Sequence, residues 1–262
     1  MNGPRPELSI VIPAYNEEKR LGSTLVRIRE YFAARSPAFA GVEIIVVDDG
    51  SLDGTAPAAR ECARAMPCLR LISNPGNRGK GYSVRNGMLQ ARGRIALFTD
   101  ADLSSPIEEC ERLFAAIAEG NEVAIGSRAI DRSLIAVHQS RFREIAGIIF
   151  NRFVRVITGL PIEDTQCGFK AFRLPDCRVI FEQQRMEGFG FDPEILFLAR
   201  RRGLRIAEVP VSWSHDAGTK VHIYRDSVLM LLDLLYVRLN SALGRYPPMP
   251  ARRARPIAHP PQ

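Results

Sequence analysis

Residues 42–55, with the sequence VEIIVVDDGSLDGT, decide the fold of this chain. Val42 to Val47 make an almost entirely apolar run, which is typical of a strand buried on both faces. The run ends in Asp48-Asp49-Gly50-Ser51, and a helical segment follows from Ala56 to Ala65. Because a buried strand that passes through a short turn into a helix is the unit of a parallel sheet, this stretch predicts an α/β fold.

The same unit recurs on both sides of this stretch. The predicted sheet is therefore doubly wound and mostly parallel, with helices on both faces. Predicted strands are Leu8 to Ile12, Leu69 to Ser73, Arg94 to Thr99, Val123 to Gly126, Lys170 to Arg173 and an edge strand from Arg205 to Trp213. Predicted helices are Glu17 to Phe32, Gly81 to Ala91, Arg141 to Thr158, Asp192 to Arg202 and a C-terminal amphipathic helix after Arg225 through about Leu243. We assign residues 1–243 to one domain and expect residues 244–262, rich in Pro and Arg, to form a disordered tail.

Composition limits the class of protein. A chain of 262 residues with 46% hydrophobic and 25% charged content fits a single large α/β domain. The net charge of +7 indicates an anionic partner, which could be nucleic acid, an anionic membrane or a phosphorylated substrate. Cations that alternate with acidic strand ends argue against a nucleic-acid binder. The five cysteines show no CxxC pair and no disulfide spacing, which indicates a reducing compartment and argues against zinc.

Membrane contact is predicted to be peripheral. Met1 to Glu7 is polar and contains prolines, so no secretory signal is expected. The apolar stretch Val228 to Val237 is interrupted by Asp233 and is shorter than the roughly 20 residues of a spanning helix. The helix over Ser227 to Leu243, beside Arg238 and the basic tail, could lie in a membrane interface, although packing on the core explains its apolar face equally well. The chain is therefore expected to be cytoplasmic and peripheral on the cytoplasmic face of a membrane.

Polar clusters follow three of the predicted strands: Tyr15-Asn16-Glu17, Asp48-Asp49 and Asp100-Ala101-Asp102. In parallel sheets, ligands gather at the carboxyl ends of the strands. Mg²⁺ is held by one or two carboxylates plus substrate phosphates, so Asp100 and Asp102 are the candidate ligands for Mg²⁺ or Mn²⁺. An isolated pair of this kind could merely cap a following helix, but the second acidic strand end favours a ligand-binding rim.

Two loops suit a nucleotide. One acid is enough to cap the helix after Asp48 to Thr55, with Ser51 or Asp53 as the capping residue. The spare acid could accept hydrogen bonds from a nucleobase or a ribose hydroxyl. The glycines and cations of Asn74 to Gly81 suit a diphosphate at a helix N-terminus, although the same loop could be an ordinary glycine turn.

The second half of the chain carries more cations than one diphosphate requires. They are Arg128, Arg141, Arg143, Lys170, Lys220 and Arg225. Any one of them could be a solvated surface charge. Together they indicate a second anionic substrate.

Six motifs together resemble family 2 glycosyltransferases of the GT-A fold. They are Pro13-x-Tyr15-Asn16-Glu17, Asp48 to Thr55, Asn77 to Gly81, Asp100-Ala101-Asp102-Leu103, Gly126-Ser127-Arg128 and Asp164 to Lys170. Thr165 to Phe169 and Glu208 to Lys220 are similar to the dolichyl-phosphate β-glucosyltransferases, with the dolichyl-phosphate mannose synthases as near relatives. Two features depart from these patterns. A counterpart of the N-terminal anchor of the eukaryotic glucosyltransferases is not expected from residues 1–7, and Ser105 replaces the glutamine-containing context typical of mannose synthases.

The resemblance implies a role for each matching residue. The nucleotide-sugar would be bound by Pro13, Tyr15, Glu17, Asp48, Asp49, Gly79, Lys80, Asp100 and Ala101, with the metal on Asp100 and Asp102. The acceptor phosphate would face Ser127, Arg128, Arg141, Arg143 and Lys220. The implied catalytic residues are Asp102, Arg128, Arg143 and Asp164.

The implied reaction moves a hexose from a nucleotide-sugar, with UDP-glucose favoured, to a polyprenyl phosphate with inversion at the anomeric carbon. A phosphate acceptor is already ionised at neutral pH and needs no general base, whereas a sugar hydroxyl would need one, and Asp164 is the candidate. GDP-mannose as donor and a sugar hydroxyl as acceptor remain alternatives. A further alternative is a sugar-phosphate nucleotidyltransferase, although its usual Gly-rich signature does not precede Pro13.

Overall fold

The computed structural model describes residues 5–35, 41–137, 141–215 and 223–248. For residues 141–143 and 223–227 it describes the backbone and not the side chains. No described helix combines the length and the apolar character that crossing a bilayer requires.

A seven-stranded sheet forms the centre of the molecule. Its strands are β1 (Leu8–Ala14), β2 (Val42–Asp48), β3 (Leu69–Ser73), β4 (Ile95–Thr99), β5 (Val123–Ser127), β7 (Phe169–Arg173) and β8 (Ile206–Pro210), while β6 (Ile135–Val137) and β9 (Trp213–Ser214) pair separately. The strand order is β3-β2-β1-β4-β7-β5-β8. Neighbouring strands run parallel except for β7, which is antiparallel to both β4 and β5. The prediction of a mostly parallel sheet is confirmed.

Helices cover both faces of the large sheet, as predicted. They are α1 (Glu18–Ala33), α2 (Thr55–Ala65), α3 (Lys80–Gln90), α4 (Cys110–Ala118), α5 (Arg141–Thr158), α6 (Leu174–Gln183), α7 (Phe191–Arg201) and α8 (Ile223–Ala242). Buried side chains of α1, α2 and α4 share one apolar core, and those of α3, α6 and α7 share the other. Strand β1 feeds both cores, since Ile10 and Ile12 belong to the first and Val11 to the second.

The register of the parallel strands brings the predicted polar clusters to one edge of the sheet. Asp48 ends β2 between Ala14 of β1 and Ser73 of β3. The register of β1 with β4 carries the residues after Thr99 to the same edge. We call this edge the rim, and the loops after β1, β2, β3 and β4 meet there.

Strand β7 contributes to the rim from the opposite direction. Phe169, its first residue, lies opposite Thr99, the last residue of β4. Because β7 is antiparallel, the residues before it reach the rim, and those after it lead away. Residues 164–168 therefore lie between the ends of β4 and β5.

The C-terminal helix α8 is present, but its predicted amphipathic character is not confirmed. Leu234 and Val237 are buried in the core, whereas Leu232 and Leu235 on the other side of the helix are about half exposed. Apolar side chains thus occupy both sides of α8. The helix packs beside α5.

The chain beyond α8 is bound to the domain, which differs from the expected start of the tail. Tyr246 is buried and donates its hydroxyl to Glu194 at 2.6 Å. Within α8, Asp233 accepts the backbone N–H of Gly190, and a Cβ on Gly190 would collide with the Asp233 carboxylate. Tyr246, in the first residues of the expected tail, therefore packs on the domain. Residues 249–262 lie outside the described residues, and a disordered tail there stays a prediction.

Candidate active site

The loops after β1 and β2 are hydrogen-bonded to each other at the rim. The N–H of Asn16 donates to Oγ of Ser51 at 2.9 Å, and the N–H of Glu17 donates to Oγ1 of Thr55 at 2.7 Å. Asn16 has a φ of 53°, a left-handed conformation that asparagine adopts more readily than most residues. These bonds hold the two loops together as one wall, which is the wall predicted to bind the nucleoside.

Asp49 has a structural role in addition to the nucleotide contact, which stays a prediction. Its side chain is buried, and Oδ1 accepts from Nδ2 of Asn74 at 2.7 Å and from the N–H of Arg78 at 3.0 Å. Its Oδ2 accepts the N–H of Gly79 at 2.7 Å. Both oxygens therefore hold the glycine-rich loop before α3. Asp48, at the end of β2, remains the acid that is a candidate for contact with the nucleoside.

Glycines let this loop pack closely against its neighbours. Gly50 has a φ of 72°, and a Cβ on it would lie 2.5 Å from the carbonyl carbon of Gly76. Gly79 has a φ of 102°, and a Cβ there would lie 2.5 Å from the carbonyl oxygen of Glu187. Residues with a Cβ would be strained at both positions. The tight loop delivers Lys80, the first residue of α3, to the rim.

Two carboxylates and one ammonium group meet at the rim. Nζ of Lys80 lies 2.6 Å from Oδ1 of Asp100. Asp102 accepts the N–H of Ser104 at 2.9 Å, and burial together with the nearby charge of Asp100 raises the pKa of the Asp102 carboxyl group. Leu103 follows with a φ of 49°, a conformation that costs energy in a residue with a branched side chain. Crowded carboxylates of this kind are stabilised by a cation.

The loop before β7 packs closely against the Asp100 carboxylate. A Cβ on Gly168 would collide with Oδ2 of Asp100. Close by, Nζ of Lys170 lies 2.5 Å from Oδ1 of Asp192 and donates to the carbonyl oxygen of Cys167 at 2.5 Å. Both members of this ion pair are buried. Lys170 is therefore a structural cation and does not belong to the surplus predicted for a second substrate.

A cavity of about 160 Å³ lies next to this loop. Arg128, Asp164, Trp213 and Ile148 contribute to its wall. Nε and Nη2 of Arg128 donate to the two oxygens of Asp164 at 2.7 and 2.8 Å, and the guanidinium lies 5.3 Å from the centre of the Trp213 ring. The cavity thus combines a fixed cation with apolar walls, which suits an anion attached to an apolar group.

Residues 9–181, more than half of the chain, match the family described as Glycosyl transferase family 2. The chain belongs to glycosyl transferase family 2. A dolichyl-phosphate beta-glucosyltransferase of Trichomonas vaginalis is 37% identical over 90% of this chain and 76% of its own length. The protein of the same name in Homo sapiens is 35% identical over 94% of this chain and 79% of its own length.

The solved structures support the fold. Glucosyl-3-phosphoglycerate synthase from Mycobacterium tuberculosis, in complex with Mn²⁺, UDP and glucosyl-3-phosphoglycerate, aligns with a TM-score of 0.64 at 22% identity. The alignment covers 92% of this chain and 80% of the synthase. The GT-A fold predicted for this family 2 glycosyltransferase is confirmed.

The surroundings of Asp164 argue against the alternative in which it acts as a general base on a sugar hydroxyl. Burial raises the pKa of Asp164, but the charge of Arg128 and the hydrogen bonds from Arg128 together outweigh burial and lower the pKa to about 2. Asp164 also accepts the N–H of Arg128 at 3.0 Å and that of Gln166 at 3.1 Å. A carboxylate this acidic is a poor proton acceptor at neutral pH. Its two oxygens hold the guanidinium of Arg128 in place.

Ser127, predicted to face the acceptor phosphate, points away from the cavity beside Arg128. It is fully buried, and its Oγ donates to Oε1 of Glu208 at 2.7 Å. Glu208 in turn accepts the N–H groups of Glu163 and Asp164 at 2.9 and 2.8 Å. Because successive side chains of a strand point to opposite faces, Ser127 turns inward next to Arg128. Ser127 therefore supports the loop before β7 and does not line the cavity beside Arg128.

The remaining residues of the predicted donor site lie at the rim. Pro13, Tyr15 and Glu17 are half-buried at the end of β1 and in the loop after it. Ala101 is buried, and its carbonyl oxygen accepts Oγ1 of Thr24 at 2.6 Å, which ties α1 to the loop that carries the two acids. These four residues stay predictions as nucleotide-sugar contacts.

Three predicted acceptor contacts fall outside the described side chains. Arg141 and Arg143 lie in the first turn of α5, but only their backbone is described, and Lys220 lies outside the described residues. Their contacts with a phosphate stay predictions. The sequence predicts no individual role for Glu208 or Trp213. Both lie in the segment from Glu208 to Lys220 that resembles the glucosyltransferases, so the sequence marks the segment but not the contacts of its side chains.

Proposed function

We propose that this enzyme transfers glucose from UDP-glucose to a polyprenyl phosphate such as dolichyl phosphate. The observation that carries the acceptor assignment is the ion pair between Arg128 and Asp164 in the cavity wall. It provides a fixed cation for a phosphate, while the carboxylate beside it is too acidic to take a proton from a sugar hydroxyl. Glucose and dolichyl phosphate come from the names of the relatives, which are 35 to 37% identical.

The proposed step is an in-line displacement. An oxygen of the acceptor phosphate attacks the anomeric carbon opposite the nucleoside diphosphate. The new C–O bond forms as the bond to the diphosphate breaks, and the diphosphate leaves with the bonding electrons, so an α-linked donor gives a β-linked product. Arg128 orients the acceptor phosphate and offsets its repulsion from the diphosphate.

The donor is proposed to lie along the rim. Its nucleoside would contact the wall formed by Pro13, Tyr15 and Glu17, with Asp48 as an acceptor for hydrogen bonds from the base or the ribose. Its diphosphate would lie near Lys80, at the N-terminus of α3, where the helix dipole favours negative charge.

The rim fits a divalent cation, Mg²⁺ or Mn²⁺, held by Asp100 and Asp102. These carboxylates supply the oxygen ligands that hard cations require, and the ammonium group of Lys80 already lies 2.6 Å from Asp100 as a counter-ion. No cluster of three or more acidic, His or Cys side chains suited to a metal occurs in the described part of the chain. Phosphate oxygens of the donor would therefore complete the ligand set. Such a cation would act as a Lewis acid on the leaving diphosphate.

A panel of nucleotide-sugars tests this function. UDP-glucose and GDP-mannose are incubated separately with the enzyme, a short polyprenyl phosphate and Mg²⁺ or Mn²⁺, and the lipid is analysed by mass spectrometry. We expect a glucosylated lipid and released UDP, and no product after the metal is chelated. Release of pyrophosphate, or transfer only to a sugar hydroxyl, would contradict the proposal.

We also propose that the enzyme binds the cytoplasmic face of a membrane through α5 and α8. Exposed apolar side chains on the two adjoining helices make what we call the α5–α8 apolar surface: Ile145, Ile148, Ile149, Phe153 and Val156 on α5, and Val228, Leu229, Leu232, Leu235, Tyr236 and Leu239 on α8. Large exposed apolar patches mark interaction surfaces. Ile148 also lines the acceptor cavity, so a bilayer on this surface would place prenyl phosphates close to Arg128. The net charge of +7 favours anionic lipids.

Replacing Ile149 and Leu232 by Glu is expected to abolish flotation with anionic liposomes. Because each side chain is about half exposed, it contributes roughly half of the 1.5–3 kcal/mol of a full transfer into the bilayer, so losing both weakens partitioning by at least about 10-fold. The two introduced carboxylates oppose partitioning further. Both side chains are about half exposed, so the thermal unfolding midpoint should stay the same.

Val26→Glu is the matched control for this test. Val26 is an exposed apolar residue on α1, which packs on the opposite face of the sheet. This variant should float with the liposomes as the unaltered enzyme does. Flotation of the double variant at the level of this control would refute the assignment of the surface.

A further inference from the structure

Lys80 is a cation placed directly on a proposed metal ligand. Its Nζ lies 2.6 Å from Oδ1 of Asp100, and the exposed fractions of the two side chains are 21% and 33%. At this distance the ammonium group of Lys80 is the counter-ion of the Asp100 carboxylate.

Few carboxylate oxygens at the rim remain available to a second cation. Lys80 covers Oδ1 of Asp100, and the backbone of Gly168 packs against Oδ2 so closely that a Cβ there would collide with it. Asp102 is the other carboxylate, and its Oδ1 accepts the N–H of Ser104. Over the described ranges, no third acid, His or Cys joins them to make a metal cluster. A divalent cation that arrives alone meets two carboxylates, one of which already has a counter-ion.

We propose that Lys80 is ion-paired with Asp100 in the free enzyme. This pair breaks only when a donor diphosphate binds, and Asp100 is then free to bind a divalent cation. The inference rests on the proposed function, in which the rim holds a nucleoside diphosphate and a metal. Without the diphosphate, the ammonium group repels a second cation at the same oxygen atoms. The diphosphate attracts Lys80 to its own negative charge and supplies the oxygen ligands that the carboxylates alone cannot.

Cooperative binding of the cation and the donor follows from this arrangement. The factor by which UDP raises the affinity for the cation must equal the factor by which the cation raises the affinity for UDP. Lys80 contributes to this factor because it opposes the cation only while the diphosphate is absent. Removing its charge should therefore tighten cation binding to the free enzyme and reduce the cooperativity.

The test measures Mn²⁺ binding to Lys80→Met and to the unaltered enzyme, with and without UDP. Titration calorimetry, or electron paramagnetic resonance of free Mn²⁺, gives the affinity without any turnover. The free variant is expected to bind Mn²⁺ about 10- to 100-fold more tightly than the free unaltered enzyme. UDP should then tighten Mn²⁺ binding less in the variant than in the unaltered enzyme. A second variant, Lys80→Gln, covers the case in which Lys80→Met does not fold.

Arg78→Met is the matched control. Arg78 belongs to the same loop and carries the same charge, but it pairs with Glu187 at 2.7 Å and not with Asp100. Its replacement should leave Mn²⁺ binding to the free enzyme unchanged. Equal tightening in both variants would reveal a general charge effect and overturn the proposal, as would unchanged Mn²⁺ binding in Lys80→Met. If the unaltered enzyme binds no Mn²⁺ even with UDP, the metal assignment of the proposed function fails as well.

Discussion

Replacing Asp102 by Asn is expected to lower kcat for lipid glucosylation about 1000-fold or more, because a hard cation loses a charged ligand and the leaving diphosphate loses its stabilisation. The fold should persist. Oδ1 of Asp102 accepts the N–H of Ser104 at 2.9 Å, and the amide oxygen of Asn can accept the same bond. Product formation measured by mass spectrometry and a thermal unfolding curve separate the two effects.

Asp131→Asn serves as the control for this substitution. Oδ1 of Asp131 accepts the N–H of Ser133 at 3.0 Å, the same local arrangement two residues apart. This variant should keep its activity, because the hydrogen bonds of Asp131 are to Ser133 and not to a residue of the rim. Full activity in Asp102→Asn would exclude the metal assignment, and a large fall in its unfolding midpoint would show that Asp102 serves the fold.

Replacing Lys170 by Met is expected to lower the free energy of unfolding by about 3–5 kcal/mol, because it leaves a buried carboxylate without its counter-ion. Lys170 and Asp192 expose 0% and 3% of their side chains and lie 2.5 Å apart. Water cannot replace the lost ammonium group at such a position. Urea denaturation followed by circular dichroism measures the change.

Two further variants bracket the effect of Lys170. Removing the second charge as well, in Lys170→Met with Asp192→Leu, should recover much of the loss, since no uncompensated charge stays buried. Arg64→Met breaks an ion pair with Glu61 whose side chains are 78% and 71% exposed, and it should cost at most about 1 kcal/mol. A single Lys170 variant as stable as Arg64→Met would mean that solvent or substrate reaches this lysine.

The order and type of most elements could be predicted because their patterns are local. Residues 42–47 are apolar apart from Glu43, and they do form the buried strand β2. The direction of β7 could not be predicted in this way. Its residues, Phe169 to Arg173, are almost all buried, so their pattern is the same whichever way the strand runs. Helix α6 was missed although Pro175 lies in its first turn, a position where proline favours a helix start.

The chemistry of the site was easier to predict than the direction of its side chains. Asp48 and Asp49 are adjacent and chemically identical, yet the structure uses Asp49 to hold the glycine-rich loop. Ser127 and Lys170 were expected to meet a substrate, but the first bonds Glu208 and the second lies inside the core. Residue type reveals what a side chain can bind, whereas its partner depends on strands that lie far away in the sequence.

The attachment of α8 to the loop before α7 has a practical consequence for work with this enzyme. Asp233 of α8 accepts the N–H of Gly190. In the same loop, the backbone carbonyl oxygen of Glu187 accepts the N–H of Tyr82 at 3.1 Å and packs against Gly79. A chain shortened before α8 to ease purification would lose the exposed apolar side chains of this helix together with a contact that supports the loop beside Gly79. Such a truncation is therefore expected to change both solubility and the binding of the proposed donor.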